Sequence, residues 1–199
     1  MKLFVQPQKA SLILVLILAG CSGAVAADTY AIDPVHSSVG FSVQHMVISR
    51  VNGNFKEFSG TIVYDEKDPA KSSVNVHIKA ASVDTRDEGR DGDLRGGDFF
   101  DVAKFPEITF ASTRIEKTGE DYVAHGQLTI RGVSKEVALP FKIAGTIKDP
   151  SGQIRLAAQA GLTINRKDFG VSWNMKLDNG GLVVGDDVKI DLQVEAVRQ

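Results

Sequence analysis

The sequence predicts an all-β fold of about eight antiparallel strands that close into a barrel, with one short helix covering an end. Three observations predict it. Apolar and polar residues alternate with a period of two along most of the chain after residue 28. Turn chemistry rich in Gly, Pro and Asp separates the alternating runs. Only one segment, near Asp84, departs from the pattern in a helical sense.

The first alternating run is Val39, Phe41 and Val43 against Gly40, Ser42 and Gln44. Ile62 and Tyr64 follow, then Val74, Val76 and Ile78 opposed by Asn75, His77 and Lys79. Between these last two, Lys67-Asp68-Pro69 supplies a turn. Asp84-Thr85-Arg86-Asp87 then opens a short helix, with Asp84 expected as N-cap and Asp87 at the capping-box position, and Gly96-Gly97 ends it. The carboxylates from Asp84 to Asp101 lack EF-hand spacing and are interleaved with Arg86, Arg90 and Arg95, so they read as a solvated or ion-paired surface. Phe99-Phe100 through Phe105-Pro106 carries apolar weight back to the core.

Ile108 and Phe110 begin the second half, and Thr118-Gly119-Glu120 turns the chain into Tyr122, Ala124, Leu128 and Ile130. Val137, Leu139, Phe141 and Ile143 share one face of the next strand. After Asp149-Pro150-Ser151-Gly152 comes the row Ile154, Leu156, Ala158, Ala160, Leu162 and Ile164. Gly185-Asp186-Asp187 is expected as a turn before Val188, Ile190, Leu192 and Val194. A sheet of this size covers its apolar face by splitting into a sandwich or by closing, and closure also removes its edges. The inward rows mix Phe with Ala124, Gly126, Ala158 and Ala160, which leaves interior space for a ligand.

The amino terminus reads differently. Lys2 and Lys9 precede an apolar core from Leu12 to Leu18, the layout of a signal peptide and too short to span a bilayer. Leu18-Ala19-Gly20-Cys21 matches a lipobox, which predicts lipidation of Cys21 and a membrane anchor. Ala24-Val25-Ala26 offers a competing cleavage site that would release a soluble periplasmic protein. Residues 1–27 are therefore expected as leader and linker, and 28–199 as one domain. Cys21 is the only cysteine, so no intrachain disulfide is available. Formal charge is -2, and it becomes -4 once Lys2 and Lys9 are removed with the leader, which argues against nucleic acid and against broad electrostatic binding to an anionic membrane face.

Little in the chain points to catalysis. The four histidines do not share a face, so no metal or other cofactor is expected, and there is no G-x-S-x-G elbow or P-loop. Asp33, His36 and Ser37 lie too close together on one extended segment to converge as a triad, and read as turn residues. His45 alone shares the apolar parity of Phe41 and Val43, which makes it the candidate polar contact for a ligand inside the barrel. Trp173, the single tryptophan, is expected either to line the cavity or to plug one end.

Several runs together resemble the YceI-like family of polyisoprenoid-binding proteins: Asp33-Pro34-Val35-His36-Ser37, Gly53-Asn54-Phe55, Asp98-Phe99-Phe100-Asp101, Gly126-Gln127-Leu128-Thr129-Ile130-Arg131-Gly132, Leu139-Pro140-Phe141 and Asn165-Arg166-Lys167-Asp168-Phe169-Gly170. The resemblance spans Tyr30 to Ala196. It implies a lipocalin-like barrel that binds a polyisoprenoid lipid or isoprenoid quinone without catalysing a reaction, in an exported bacterial protein. The ligand tail would meet Phe41, Phe58, Phe110, Phe141 and Trp173, with His45 near its head. Where many relatives carry histidine before Leu-Arg, this chain has Asp93-Leu94-Arg95, so a head-group role does not transfer to residue 93. The alternatives are a lipid-modifying hydrolase with His45 or His36 as base, and a structural or stress-related envelope protein.

Overall fold

The computed structural model describes residues 27–178 and 180–199. The leader through Ala26 and the lipidation expected at Cys21 lie outside them. Strands β1 (Asp28–Ile32), β2 (Ser38–His45), β3 (Ser49–Phe55), β4 (Phe58–Tyr64), β5 (Ser73–Lys79) and β6 (Val83–Asp84) precede the helix α1 (Glu88–Arg95). Strands β7 (Glu107–Thr118), β8 (Asp121–Ile130), β9 (Val133–Lys148), β10 (Ile154–Asn165) and β11 (Val184–Arg198) follow it.

These eleven segments form one closed antiparallel barrel of eight staves, because three staves are each broken in two. β1 and β2 lie end to end along β11; β4 and β3 pair with them in turn; β5 and β6 pair with β4 and β3. From β7 to β11 each strand pairs with the next by a simple hairpin order. Neighbouring staves are thus consecutive in the chain except the first and last, which pair to close the barrel, the up-and-down topology that local pairing favours. One end of the barrel, here the helix end, gathers His45, Ser49, Asp84, Glu107, Ile130, Val133, Asn165 and Val184 as strand termini. The opposite end holds Asp28 and Arg198.

The break between β1 and β2 has a register cause. Ile32 pairs with Ala196 and Ser38 with Gln193, so six steps on one stave face three on the other. The surplus, Pro34-Val35-His36, is pushed outward. Asp33 Oδ1 accepts the Val35 N–H at 2.9 Å, and Ser37 Oγ both accepts from Glu195 N–H and donates to its carbonyl, the turn chemistry expected of these residues.

A guanidinium clasps this bulge to the barrel. Arg155 on β10 meets Asp33 Oδ2 at 2.8 Å, Glu195 Oε1 at 2.6 Å and Asp149 Oδ2 at 2.7 Å, and His36 Nδ1 lies 2.8 Å from Asp33. Asp33, His36 and Glu195 each bring one ligand atom within 4.8 Å of the others, but both carboxylates already face Arg155, so the group reads as an ion cluster. Hydrogen bonds from His36 and Arg155 hold the Asp33 carboxyl well below the usual carboxylate range, and Arg155 with Ser151 does the same for Asp149. Carboxyls depressed in the folded state stabilise it fully above their unfolded pKa of ~3.9, and that contribution is lost as pH falls through the folded values. The melting temperature should therefore be level above about pH 5 and fall below about pH 4, with Arg155→Met flattening much of that slope. Circular dichroism melts across this range check it, and an unchanged slope in the variant would contradict it.

Helix α1 differs from its expected start. Asp87, not Asp84, is the N-cap, accepting from Arg90 N–H at 2.8 Å. Asp84 is drawn into β6 instead, where it pairs with Asn54 and its carboxylate meets Lys56 at 2.7 Å. The helix contains two glycines and little apolar surface, so polar bonds hold it. Buried Asp91 accepts from the Thr85 N–H and hydroxyl at 2.8 and 2.6 Å, and Arg95 donates to the Ala81 and Val83 carbonyls. Gly185-Asp186-Asp187 also departs from expectation: it is a bulge inside β11, between pairs Val184 with His45 and Val188 with Val43, rather than a turn before it. Asp186 is anchored there by Arg166 and Lys167.

Candidate ligand-binding cavity

Alternation, interrupted at bulges, sends one row of each stave inward, and the rows do not meet at the axis. They enclose a cavity of about 260 Å³, just under the ~300–1,000 Å³ common for small-molecule sites. Val39, Phe41 and Val43 of β2 face it, as do Val74, Val76 and Ile78 of β5, Leu139, Phe141 and Ile143 of β9, and Ile190, Leu192 and Val194 of β11. On β7 the inward row changes parity, from Ile108 and Phe110 to Ile115, because the pairing with β8 shifts between Ser112 and Arg114. Gly126 stands beside this bulge because a Cβ there would overlap the Ala111 carbonyl and the Phe110 ring. The small side chains of Ala124, Ala158 and Ala160 form part of the wall, and space remains where larger residues would fill it.

The ends are closed unequally. At the end bearing the termini, Tyr30, Leu156 and Ala196 are buried against Ile62, Tyr64, Ile143 and Ile154. Tyr64 and Tyr122 both stand in this wall, and burial first, then the neighbouring Tyr122, raises the Tyr64 pKa above the ordinary phenol range. At the helix end, Leu94, Phe99 and Phe100 cover the opening together with Phe169 and Val171.

Arg166 is the only charged residue on the wall among the described residues. It is 5% exposed. Its Nε donates to the Gly185 carbonyl at 2.9 Å, and Nη1 to those of Val171 and Trp173 at 2.7 and 2.9 Å. Nη2 reaches the Val184 carbonyl at 3.4 Å and Asp186 Oδ1 at 3.5 Å. Burial lowers its pKa and the Asp186 charge opposes that shift. One guanidinium thus holds both ends of the segment between β10 and β11, and its donors are committed to the chain itself.

Phe41, Phe58, Phe110 and Phe141 all stand in the cavity wall. His45 does not: it keeps the parity of Phe41 and Val43 but sits at the end of β2, paired with Ser49 and with the wall residue Val184, and does not itself line the cavity. Trp173 also stands outside, its ring centroid 5.4 Å from that of Phe99, which is itself in the wall. His77 is exposed, as parity predicts, and faces Glu107 at 3.3 Å; His125 lies under Glu116 at 3.2 Å. Sequence reasoning missed Arg166, although it continues the inward row of Leu162 and Ile164 at the same parity. A cation extending an apolar row was the available signal.

Comparison with known proteins agrees with this architecture. A family model described as the YceI-like domain matches residues 30–196. Protein YceI of Escherichia coli O17:K52:H18 is 42% identical over 185 residues, covering 92% of this chain and 93% of that protein. The crystal structure of Burkholderia cenocepacia BcnA superimposes with a TM-score of 0.73 at 27% identity, over 82% of this chain and 98% of the other. A polyisoprenoid binding domain from Saccharophagus degradans aligns with a TM-score of 0.60 at 19% identity, over 85% of this chain and 98% of its own, which speaks for the fold alone.

Proposed function

The chain belongs to the YceI-like family, and from that premise we propose that it binds the tail of a polyisoprenoid lipid or isoprenoid quinone inside its barrel, as a carrier rather than an enzyme. The observation that carries this reading is the cavity wall, apolar on every stave, whose one charged side chain already bonds to the chain's own carbonyls. Such a wall suits a tail, leaving any anionic head group outside. The S. degradans domain, described as polyisoprenoid binding, has the same fold. His36 and His45 stand outside the wall, which favours a binder over the hydrolase alternative.

Energetics support a carrier. At about 0.8 kcal/mol per buried CH₂, a long polyprenyl tail taken from water would exceed the practical affinity ceiling of roughly 20 kcal/mol. The relevant competitor is therefore the bilayer, from which transfer into an apolar cavity is nearly neutral, so fit and exchange decide occupancy. The reading includes export by the leader within residues 1–27, with anchoring at Cys21 or release near Ala26. Trp173 supplies a reporter through its contact with Phe99. Titration with farnesol or a short-chain quinone should change its fluorescence to saturation at one equivalent, and labelled ligand should exchange with vesicles. A protein that takes up neither ligand would contradict the proposal.

A further inference from the structure

The turn between β2 and β3 is apolar, exposed and conformationally costly. Met46, Val47, Ile48 and the neighbouring Met175 are 39, 54, 87 and 56% exposed. Met46 and Val47 have φ of 50° and 68°, the left-handed region, in a turn closed by Ile48 N–H donating to the His45 carbonyl at 3.2 Å. Hairpin turns of this hand favour Asn-Gly, and a β-branched residue there is strained. Strained apolar side chains offered to water at a hairpin tip ask for a partner.

We infer that this tip inserts into a lipid surface and seats the helix end of the barrel on the membrane. Three further features fit a bilayer. The tip presents three apolar side chains, with Met175 beyond Val183 beside it, well short of the ~800 Å² per partner of a standard protein interface, whereas hydrocarbon accepts such a wedge. Its polar backbone is largely satisfied from within: Met46 N–H donates to the Val183 carbonyl at 2.8 Å, and the Val47 carbonyl accepts from Gln44 Nε2 at 3.0 Å. Residues 34–56 contain no Asp or Glu and Arg50 lies on the arm, while Lys56 is paired with Asp84, so the arm does not repel anionic lipid although the whole chain carries charge -2. His45, at the base of the tip, pairs with Val184, and Val184 and Val43 stand in the cavity wall. Insertion therefore brings this end of the cavity against the bilayer. The inference takes its choice of a lipid partner from the proposed function, but the tip's geometry stands without it.

The test uses the exported, processed protein carrying Cys21→Ala, with processing checked by intact mass, so that no acyl anchor contributes. Flotation is measured with vesicles of phosphatidylethanolamine and phosphatidylglycerol, alongside farnesol uptake. The paired change Met46→Asn with Val47→Gly should lower the vesicle-bound fraction by roughly tenfold or more. The same change should keep or raise the melting temperature, because Asn-Gly suits the turn, and should leave farnesol uptake unaltered. Absence of vesicle binding by the parent, or unchanged binding by the variant, would overturn the inference whatever farnesol does. Tip-dependent vesicle binding without farnesol uptake would uphold it and instead contradict the ligand reading. A tip-dependent dimer in sedimentation with no vesicle binding would assign the tip to a second copy and overturn it.

Discussion

Replacing Ala160 by phenylalanine should abolish most ligand uptake while leaving stability nearly unchanged. Ala160 stands in the cavity wall, with Phe141 and Leu192 on the flanking strands in register with it. An aromatic ring at this position projects into space that a bound tail would fill. In a close-packed core the same enlargement costs about 1–3 kcal/mol, because neighbours must leave their rotamers. Here the cavity receives it, so the melting temperature should hold or rise while farnesol affinity falls by at least about tenfold, or ~1.4 kcal/mol. Thermal melts and titration on the same sample separate the outcomes. A destabilised variant that still binds would mean that the interior is filled at Ala160 and that ligand sits elsewhere.

Replacing Arg166 by methionine should be the most destabilising single change at the helix end. The side chain is buried and supplies hydrogen bonds to the carbonyls of Val171, Trp173, Val184 and Gly185 from one rigid group. Removing it strands the Val171, Trp173 and Gly185 carbonyls, while Val184 keeps its bond from Asn174 Nδ2 at 2.6 Å, and it leaves Asp186 Oδ1, 3.5 Å from the guanidinium and without a hydrogen-bond partner, with no nearby charge on that side. Asp186 keeps Lys167 at 2.8 Å, so the cost lies in the unmet carbonyls, about 1–3 kcal/mol each, and a total loss of about 3 kcal/mol or more is expected. Lysine should rescue only part of that, since one ammonium cannot serve four carbonyls in a plane. Denaturant unfolding gives the magnitude, and hydrogen exchange should show the loss concentrated in residues 171–185. A variant as stable as the parent would show that this segment is held without the guanidinium, by packing and by bonds such as those between Asn174 and Val184.

The barrel was legible because its signal is local and repeated. Eight alternating runs correspond to the eight staves, and the parity of Val39, Phe41 and Val43 or of Leu156 to Ile164 places side chains on the cavity wall. β3 was invisible to the same test, since Ser-Arg-Val-Asn-Gly-Asn-Phe offers only Val51 and Phe55 as apolar inward residues around a glycine. That glycine leaves room for the Phe41 ring, a cross-strand fact that no single run contains. The Arg155 clasp depends on residues 33, 149 and 195 meeting residue 155, and long-range convergence of charges has no local signature. His45 illustrates the limit of parity: the period gives the face of a strand but not how far along the barrel the cavity runs. Asp84 yielded the N-cap to Asp87 because pairing with β3 extends the strand past the first capping candidate.

Native mass spectrometry of the protein purified after export, without added lipid, tests the central claim most directly. The account predicts a noncovalent adduct of one isoprenoid per chain that is lost on denaturation and is absent from Ala160→Phe. An empty parent protein that also fails to acquire an isoprenoid from vesicles, or an adduct of other chemistry that Ala160→Phe retains, would contradict it.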